Sequence, residues 1–283
     1  MGAIYALIAL GYTMVYGVLR FINFAHSDVF MVGAYVGFFV APRFGERSIG
    51  SGLVILCVAM LACAVLGVTI ERLAYRPLRS SSKLNVLITA IGVSLLLENA
   101  AQVFWKANPR SFPAIFPVQT FHAAGVSVSS NQITVLAVGI ALLIALQLFV
   151  MKTKMGKAMR AVSFNPTAAS LVGINNDVVI SFTFALGSAL AAAAGILFAV
   201  YYGSIQPLMG VLPGLKAFVA AVLGGIGNIP GAALGGLILG LVETFVKGSR
   251  LSTFSDAIAF AVLILILVFR PAGILGKLQV EKV

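Results

Sequence analysis

The chain has 283 residues, of which 60% are hydrophobic and only 10% are charged, and its formal net charge is +11. An ordinary soluble domain is about 25% charged, so this composition excludes a typical cytosolic enzyme, a disordered tail and a secreted disulfide scaffold. Because the basic residues fall between apolar runs, they indicate membrane orientation and contact with anionic lipid headgroups rather than nucleic-acid binding. We therefore expect an all-α, multi-pass integral membrane protein.

A helix needs about 20 apolar residues to cross the hydrocarbon core of a membrane. Eight hydrophobic segments are candidates, or nine spans if the seventh segment is a hairpin. In chain order they are Met1–Leu19, Val29–Ala41, Ile49–Ile70, Leu84–Trp105, Gln132–Met151, Val178–Ile205, Ala217–Val242 and Leu251–Phe269. The seventh is interrupted at Gly227–Gly231. The sequence thus predicts a single transmembrane domain over residues 1–283.

Lys and Arg in the connecting loops predict the orientation of the spans. One set of alternate loops carries nine basic residues, namely Arg20, Arg72, Arg76, Arg79, Lys83, Lys152, Lys154, Lys157 and Arg160. The other set carries five, namely Arg43, Arg47, Lys106, Arg110 and Lys216. The richer set is predicted to be cytoplasmic, which makes 152–177 a cytoplasmic loop and 106–131 a periplasmic loop.

The side of the C-terminal tail depends on the interrupted seventh segment. A single crossing would place the tail outside, whereas two short helices would place it inside. Arg270, Lys277 and Lys282 in the tail outnumber Lys247 and Arg250 in the preceding loop, which favours the cytoplasmic side.

The loop 152–177 contains a short predicted helix. Asn165 suits an N-cap, Pro166 suits the first helical turn and Gly173 is a natural C-cap. Its exposed face would include Ala168, Ala169, Leu171 and Val172. This pattern fits a surface on which a partner protein packs, and it fits equally an interfacial helix that rests on lipid headgroups.

Glycines recur at four-residue spacing between residues 224 and 240. Gly227, Gly231 and Gly235 form one series, and Gly236 and Gly240 form another, so both predict close packing of helix backbones. A broken helix at membrane depth is tolerated inside protein or along an aqueous cavity, and in transporters it often marks the substrate route. The alternatives are a packed hairpin and a segment of the pathway.

Polar side chains cluster where the first hydrophobic segment gives way to the second. Tyr12 and Tyr16 share a helix face, and Asn23 and His26 follow within ten residues. Together with Asn228 of the interrupted segment, these residues are candidates for the lining of a pathway. The alternative is that they are caps and structural groups, and two histidines in the whole chain make a metal site improbable.

Two acidic residues, Glu98 and Glu243, lie within predicted spans, where ionisable groups are costly and often functional. Glu243 precedes Lys247 by four residues, so a helical ion pair is available. The sequence has no His-Glu-x-x-His motif, no Walker motif and no Cys/His cluster. We therefore expect neither enzymatic activity nor a metal or cofactor bound by this chain.

Four passages and the tail carry a family resemblance. They are GAIYALIALGYTMVYGVLRFINFAHSD at 2–28, ERLAYRPLRSSSKLNVLITAIGVSLLLEN at 71–99, MGKAMRAVSFNPTAASLVGIN at 155–175, KAFVAAVLGGIGNIPGAALGGLILGLVE at 216–243 and PAGILG at 271–276. The chain resembles the membrane permeases of bacterial ABC importers for branched-chain amino acids, specifically the first of their two permease subunits. One departure is Ser27-Asp28, where the family more usually has Gly followed by an acid.

The resemblance implies the permease fold and the import of leucine, isoleucine or valine across the inner membrane. It also implies a second permease subunit, two ATPase subunits that bind the ATP, and a periplasmic substrate-binding protein. Residues 167–173 resemble the importer coupling motif, Glu-Ala-Ala followed by three residues and Gly, with Thr167 where Glu is usual. The implied ATPase-coupling helix comprises Asn165, Thr167, Ala168, Ala169, Leu171 and Gly173.

Other functions compete with this interpretation. Related permeases carry urea, short amides or other amino acids, and the substrate-binding protein largely sets their selectivity. An ion-coupled secondary transporter would use Glu98 or Glu243 as a proton carrier, but it would not require the short capped helix. A membrane enzyme is disfavoured because the catalytic motifs are missing.

Overall fold

A computed structural model of the chain describes residues 1–45, 48–79, 81–123, 126–270 and 272–276. These residues form a helical bundle with short strands in its loops. The helices are α1 (Gly2–Leu19), α2 (His26–Val40), α3 (Ile49–Ile70), α4 (Lys83–Trp105), α5 (Ser130–Lys152), α6 (Lys154–Phe164), α7 (Pro166–Leu171), α8 (Asn176–Tyr202), α9 (Val211–Gly224), α10 (Ile229–Lys247) and α11 (Ser255–Phe269).

The strands pair in two small antiparallel sheets. One joins β1 (Arg110–Ser111) to β4 (Ser204–Ile205), and the other is a hairpin of β2 (Thr120–Ala123) and β3 (Val126–Ser129). The first sheet fastens the segment after α4 to the end of α8. The predicted loop 106–131 therefore has its own structure, and α5 begins one residue before that loop was expected to end.

Within the described residues, seven helices are long and apolar enough to cross a membrane. They are α1, α3, α4, α5, α8, α10 and α11. Helix α3 continues through a π-helical turn at Glu71–Tyr75 and a 3-10 turn at Arg76–Leu78, and α11 is extended to 18 residues by a 3-10 turn at Ser252–Phe254 that precedes it. The other two predicted spans are shorter. At 1.5 Å per residue, α2 and α9 are roughly 21–23 Å long, less than the hydrocarbon thickness of about 30 Å.

The buried centre of the bundle is the pair α1 and α8, whereas α4, α5 and α11 leave most of their surface exposed. Helix α8 packs against α1, α2 and α3, and α1 also packs against α9 and α10. Small side chains make these contacts close: Gly33 of α2 faces Ala192, and Gly195 of α8 faces the Phe30 carbonyl. A Cβ at either glycine would overlap the opposite helix, so both positions require glycine.

The interrupted seventh segment is a hairpin of two helices, with a turn at residues 225–228. The expected start at Ala217 was wrong by six residues, because α9 begins at Val211. Lys216 is therefore not a loop residue but lies inside α9 and is 5% exposed. The charge of Lys216 did not end the helix because acidic side chains from two neighbouring segments neutralise it, as described below.

The glycines of this hairpin divide into two kinds. Gly231, Gly235, Gly236 and Gly240 lie in α10, and a Cβ at each would overlap Gly224, Ala220, Ala6 and Gly2, respectively. These four glycines are therefore where α10 approaches α9 and α1 most closely. Gly227 differs, since it lies in the turn with φ 91° and has open space at its Cβ position. It allows the turn rather than a helix contact.

One end of the bundle collects the C-terminus of α1, the segment 152–177 and the α9–α10 turn. Ser163 donates a hydrogen bond to the Gly17 carbonyl (2.5 Å), and Gly17 lies beside Gly227. The described part of the tail is also at this end, because Ile274 N donates to Leu223 O (2.8 Å). The hairpin thus returns the chain to the side of 152–177. Arg47, Lys277 and Lys282, used in the orientation argument, lie outside the described residues.

Candidate functional site

The two short helices begin inside the bundle, next to each other. His26, the first residue of α2, packs its imidazole against Gly11 at the midpoint of α1. Gly210 and Gly214, around the start of α9, lie against Ser27. Because the chain re-enters the bundle before each helix, two helix N-termini meet near its middle, an arrangement found at substrate sites of transporters.

Three of the five candidate pathway residues lie at this meeting point. Tyr12 is buried, with its ring centroid 4.8 Å from that of His26 and 6.2 Å from that of Phe218. Tyr16 and Tyr12 line one narrow cleft together with Phe218 and Ile226. The expected shared face of Tyr12 and Tyr16 is therefore turned towards α9 and the α9–α10 turn.

The other two candidates are held by structural hydrogen bonds. Asn23 is 5% exposed and accepts a hydrogen bond from the Tyr75 hydroxyl (2.6 Å). Asn228 is the N-cap of α10, where its Oδ1 accepts from Gly231 N (3.1 Å) and its Nδ2 donates to Leu275 O (2.7 Å). Asn228 therefore fastens the hairpin turn to the tail, outside the Tyr12–His26 contact.

Asp28 is a buried acid that was noted in the sequence but not selected as a candidate. It is 1% exposed in the first turn of α2, where an acidic side chain suits the helix dipole. The Ser94 hydroxyl of α4 donates to its carboxylate (2.5 Å). Asp28 thus links α2 to α4. Its partner Ser94 is 66 residues away in the chain, so the contact is known only from the packing of the two helices.

The short helix α7 has the caps that the sequence predicted. Asn165 Oδ1 accepts from Ala168 N (3.0 Å), Pro166 occupies the first turn and Gly173 has φ 86°. Thr167, Ala168 and Leu171 are exposed. The expectation that Ala169 would lie on the exposed face was wrong, because Ala169 is 3% exposed on the side of α7 that packs against α6 and α8. The next helix, α8, is capped by Asn175, whose Oδ1 accepts a hydrogen bond from Val178 N (3.2 Å).

Large apolar side chains next to α7 are not covered by any other part of the chain that the structure describes. Phe164 is 87% exposed, Leu171 is 83% exposed and Val172 is 77% exposed. They lie at the end of the bundle that is rich in Lys and Arg, where an exposed apolar patch marks an interaction site. The patch formed by Phe164, Leu171 and Val172 is called the α7 patch below.

An ionic network anchors the segment that follows α7. Asp177, in the first turn of α8, pairs with Arg76 and Arg79, and Arg79 also pairs with Glu71 of the π-helical turn. Glu71 is fully buried and accepts a hydrogen bond from Ser181 of α8 (2.6 Å). The sequence alone does not predict this network, because Asp177 and Ser181 lie about a hundred residues after Glu71, Arg76 and Arg79 in the chain.

A second ionic network lies at the opposite end of the bundle. Lys216 Nζ lies 2.8 Å from Glu243 Oε1 and 2.6 Å from Asp256 Oδ1. Lys247 Nζ lies 2.7 Å from Glu243 Oε1, which confirms the ion pair predicted from their four-residue spacing. Glu98, the other acid within a predicted span, is half-buried in α4.

No group of three or more His, Cys, Asp and Glu side chains that could hold a metal occurs within the part of the chain that the structure describes. Most of the charged groups described above pair with one another or with serine hydroxyls, whereas a few buried atoms, among them His26 Nε2 and Glu243 Oε2, have no hydrogen-bond partner among the described residues. The described residues therefore combine buried polar contacts between helices with an exposed apolar patch at the basic end.

Comparisons with known proteins give the family. Residues 1–267 match the family described as branched-chain amino acid transport system, permease component. The high-affinity branched-chain amino acid transport system permease proteins BraD of Pseudomonas aeruginosa and LivH of Escherichia coli are each 42% identical, over 100% of this chain and 94% of theirs. A probable LivH permease of Methanocaldococcus jannaschii is 30% identical over 95% of this chain and 88% of its own. The chain therefore belongs to the branched-chain amino acid transport permease family.

Proposed function

We propose that this chain is one of two permease subunits of an ABC importer and that it moves leucine, isoleucine or valine across the inner membrane. Family membership and the names of the relatives support the cargo. The observation that supports coupling to ATP is the α7 patch. Its three large apolar side chains are exposed beside a short capped helix at the basic end of the bundle.

The α7 patch is the docking surface for an ATPase subunit. An apolar patch facing water would favour aggregation if it stayed uncovered, so a partner is expected there. Two ATPase subunits, one for each permease, bind and hydrolyse the ATP, and this chain binds none. The basic loops next to α7 support a cytoplasmic position for this end, and on this orientation the opposite end receives cargo from a periplasmic substrate-binding protein.

Movement of α7 passes into the bundle through short connections. Asn176 Nδ2 donates to Pro166 O (2.9 Å), which ties α7 to the start of α8. The network of Asp177, Arg79 and Glu71 then ties α8 to the end of α3. Helix α8 packs along α1 and α2, so a shift of α7 alters the contacts where α2 and α9 begin. The cargo pathway then opens alternately to the two sides of the membrane.

The cargo passes near the meeting point of α2 and α9, where Tyr12, Tyr16, His26 and Ser27 are among the polar side chains. Helix N-termini there stabilise the carboxylate of a zwitterionic amino acid. Asn23 and Asn228 act by holding the surrounding backbone. Glu243 contributes a structural charge, because its ion pairs with two lysines leave it poorly suited to carry protons.

The test is reconstitution of the complete transporter in liposomes. The tagged chain is expressed with the neighbouring subunits, and leucine uptake is measured with the binding protein outside and ATP inside. Copurification of two ATPases and a second permease, with uptake that needs both ATP and the binding protein, supports the proposal. Uptake by the chain alone down an ion gradient would overturn it.

Variants of α7 test the coupling separately. Leu171→Glu is expected to remove the ATPase subunits from the complex and abolish uptake, because a charge would enter the apolar contact. Gly173→Val is expected to do the same, because a β-branched residue is strained at φ 86°. Lys157→Gln, an exposed change on the neighbouring α6, is the matched control. Full ATPase binding by L171E would contradict the assignment.

A further inference from the structure

A cavity of about 370 Å³ lies at the end of the bundle opposite α7. It is enclosed by the start of α1, the end of α8, the segment before α9, and parts of α9, α10 and α11. Its lining includes Tyr5, Phe198, Leu208, Met209, Leu212 and Pro213. Binding cavities for small molecules have volumes of roughly 300–1,000 Å³. The volume of this cavity lies in that range, and its wall combines these apolar and aromatic side chains with the polar side chains of Gln206, Ser252, Thr253 and Ser255.

The same cavity is also lined by the second ionic network, whose members in order are Asp256, Lys216, Glu243 and Lys247. The charges alternate along the network, and the two positive and two negative groups sum to zero. Its middle members are covered, since the side chains of Lys216 and Glu243 are 7% and 1% exposed. Its end members, Asp256 and Lys247, are 50% and 45% exposed.

The exposed ends therefore offer one carboxylate and one ammonium group to a molecule in the cavity. An anion would meet repulsion from Asp256, and a cation would meet repulsion from Lys247. A zwitterion satisfies both, because its ammonium group pairs with Asp256 and its carboxylate pairs with Lys247. The apolar part of the wall, which includes Phe198, Leu208 and Leu212, accepts an aliphatic side chain.

We propose that this cavity is a transient binding site for a zwitterionic aliphatic amino acid, with Asp256 and Lys247 as its charge-recognising residues. The site rests on the proposed function, and on the predicted orientation it faces the periplasm, where the binding protein releases cargo. Lys216 and Glu243 are positioning residues that hold the two exposed charges in place. Binding at this cavity would select for a zwitterion a second time, after the binding protein has released its cargo to the permease.

Cysteine protection in the purified transporter measures this binding directly. Leu212→Cys is introduced into a background with both native cysteines replaced, and its rate of maleimide labelling is followed as free leucine is added without binding protein. Leu212 lines the cavity and is 52% exposed. Leucine is expected to slow the labelling. Isocaproate lacks the ammonium group and isoamylamine lacks the carboxylate, so neither is expected to change the labelling rate. Ser249→Cys, on the same end but outside the cavity, is the control.

Charge variants then test the two named residues. Asp256→Asn and Lys247→Gln are each expected to raise the half-protective leucine concentration about ten- to a hundredfold, the usual effect of losing a hydrogen bond to a charged group. Asp256→Glu and Lys247→Arg should restore protection, and Arg250→Gln, an exposed charge outside the cavity, should change nothing.

The outcomes separate this inference from the proposed function. If wild-type transporter takes up leucine but L212C is never protected, or if D256N and K247Q behave like R250Q, the cavity is not a cargo site. A failure of L212C to react in the assembled complex also overturns the inference, because a partner subunit then fills the cavity. Loss of ATP-driven leucine uptake by the wild-type complex would instead refute the proposed function.

Discussion

Replacement of Glu71 by Gln tests whether the ionic network beside α7 holds α3 and α8 together. Glu71 is fully buried, where it pairs with Arg79 and accepts a hydrogen bond from Ser181. Removal of one partner from a buried ion pair costs about 3–5 kcal/mol, since the other charge loses its compensation. In this variant Arg79 still pairs with Asp177. We therefore expect a loss of stability at the lower end of that range, about 3 kcal/mol, which is roughly a 150-fold change in the unfolding equilibrium.

Asp177→Asn is the matched control within the same network. Asp177 pairs with Arg76 and Arg79, but its side chain is 45% exposed and that of Arg76 is 48% exposed. Solvent screening reduces such pairs to about 0–1 kcal/mol. The structure therefore predicts that E71Q destabilises the bundle several times more than D177N, although each variant removes one negative charge.

Cys63 provides the assay. It is buried, with its Sγ 3.7 Å from the Val29 carbonyl, whereas Cys57 is exposed. In a Cys57→Ala background, a fluorogenic maleimide reacts with Cys63 only when the packing of α2 on α3 opens. At 2–4 °C per kcal/mol, E71Q should lower the midpoint of thermal labelling by roughly 6–12 °C and D177N by no more than about 4 °C. Equal midpoints for the two variants would refute the argument from burial.

Substitutions at three further sites, two of them with a control substitution, test a close helix contact, a buried hydrogen bond and a helix cap. Gly195→Ala should prevent assembly of a stable bundle because its Cβ would overlap Phe30, whereas Gly92→Ala, with open space at its Cβ, should be neutral or stabilising by up to about 1 kcal/mol; comparable yields of the two would contradict this. Tyr75→Phe leaves the buried Asn23 oxygen without its donor and should cost about 1–3 kcal/mol, so an unchanged midpoint would argue against that hydrogen bond. Asn228→Ala removes the α10 cap and should cost about 1 kcal/mol, with Asn228→Asp retaining most of it.

The sequence predicted features that depend on composition and near neighbours. Runs of apolar residues located the long spans, because about 20 apolar residues are needed to cross the hydrocarbon core. These runs are helical because a helix forms all its backbone hydrogen bonds internally. The caps of α7 at Asn165 and Gly173 were predicted from residue type, and the Glu243–Lys247 pair was predicted from four-residue spacing. Each of these depends on residues that lie within a few positions of one another.

Only the tertiary structure decided which distant groups are neighbours. The start of α9 at Val211, and the burial of Lys216 within it, follow from acids on other segments that neutralise its charge. The contact of Asp177 with Arg76 joins residues 101 positions apart. Single-sequence patterns do not specify such pairs, because each helix presents several faces and the packing of small residues selects among them.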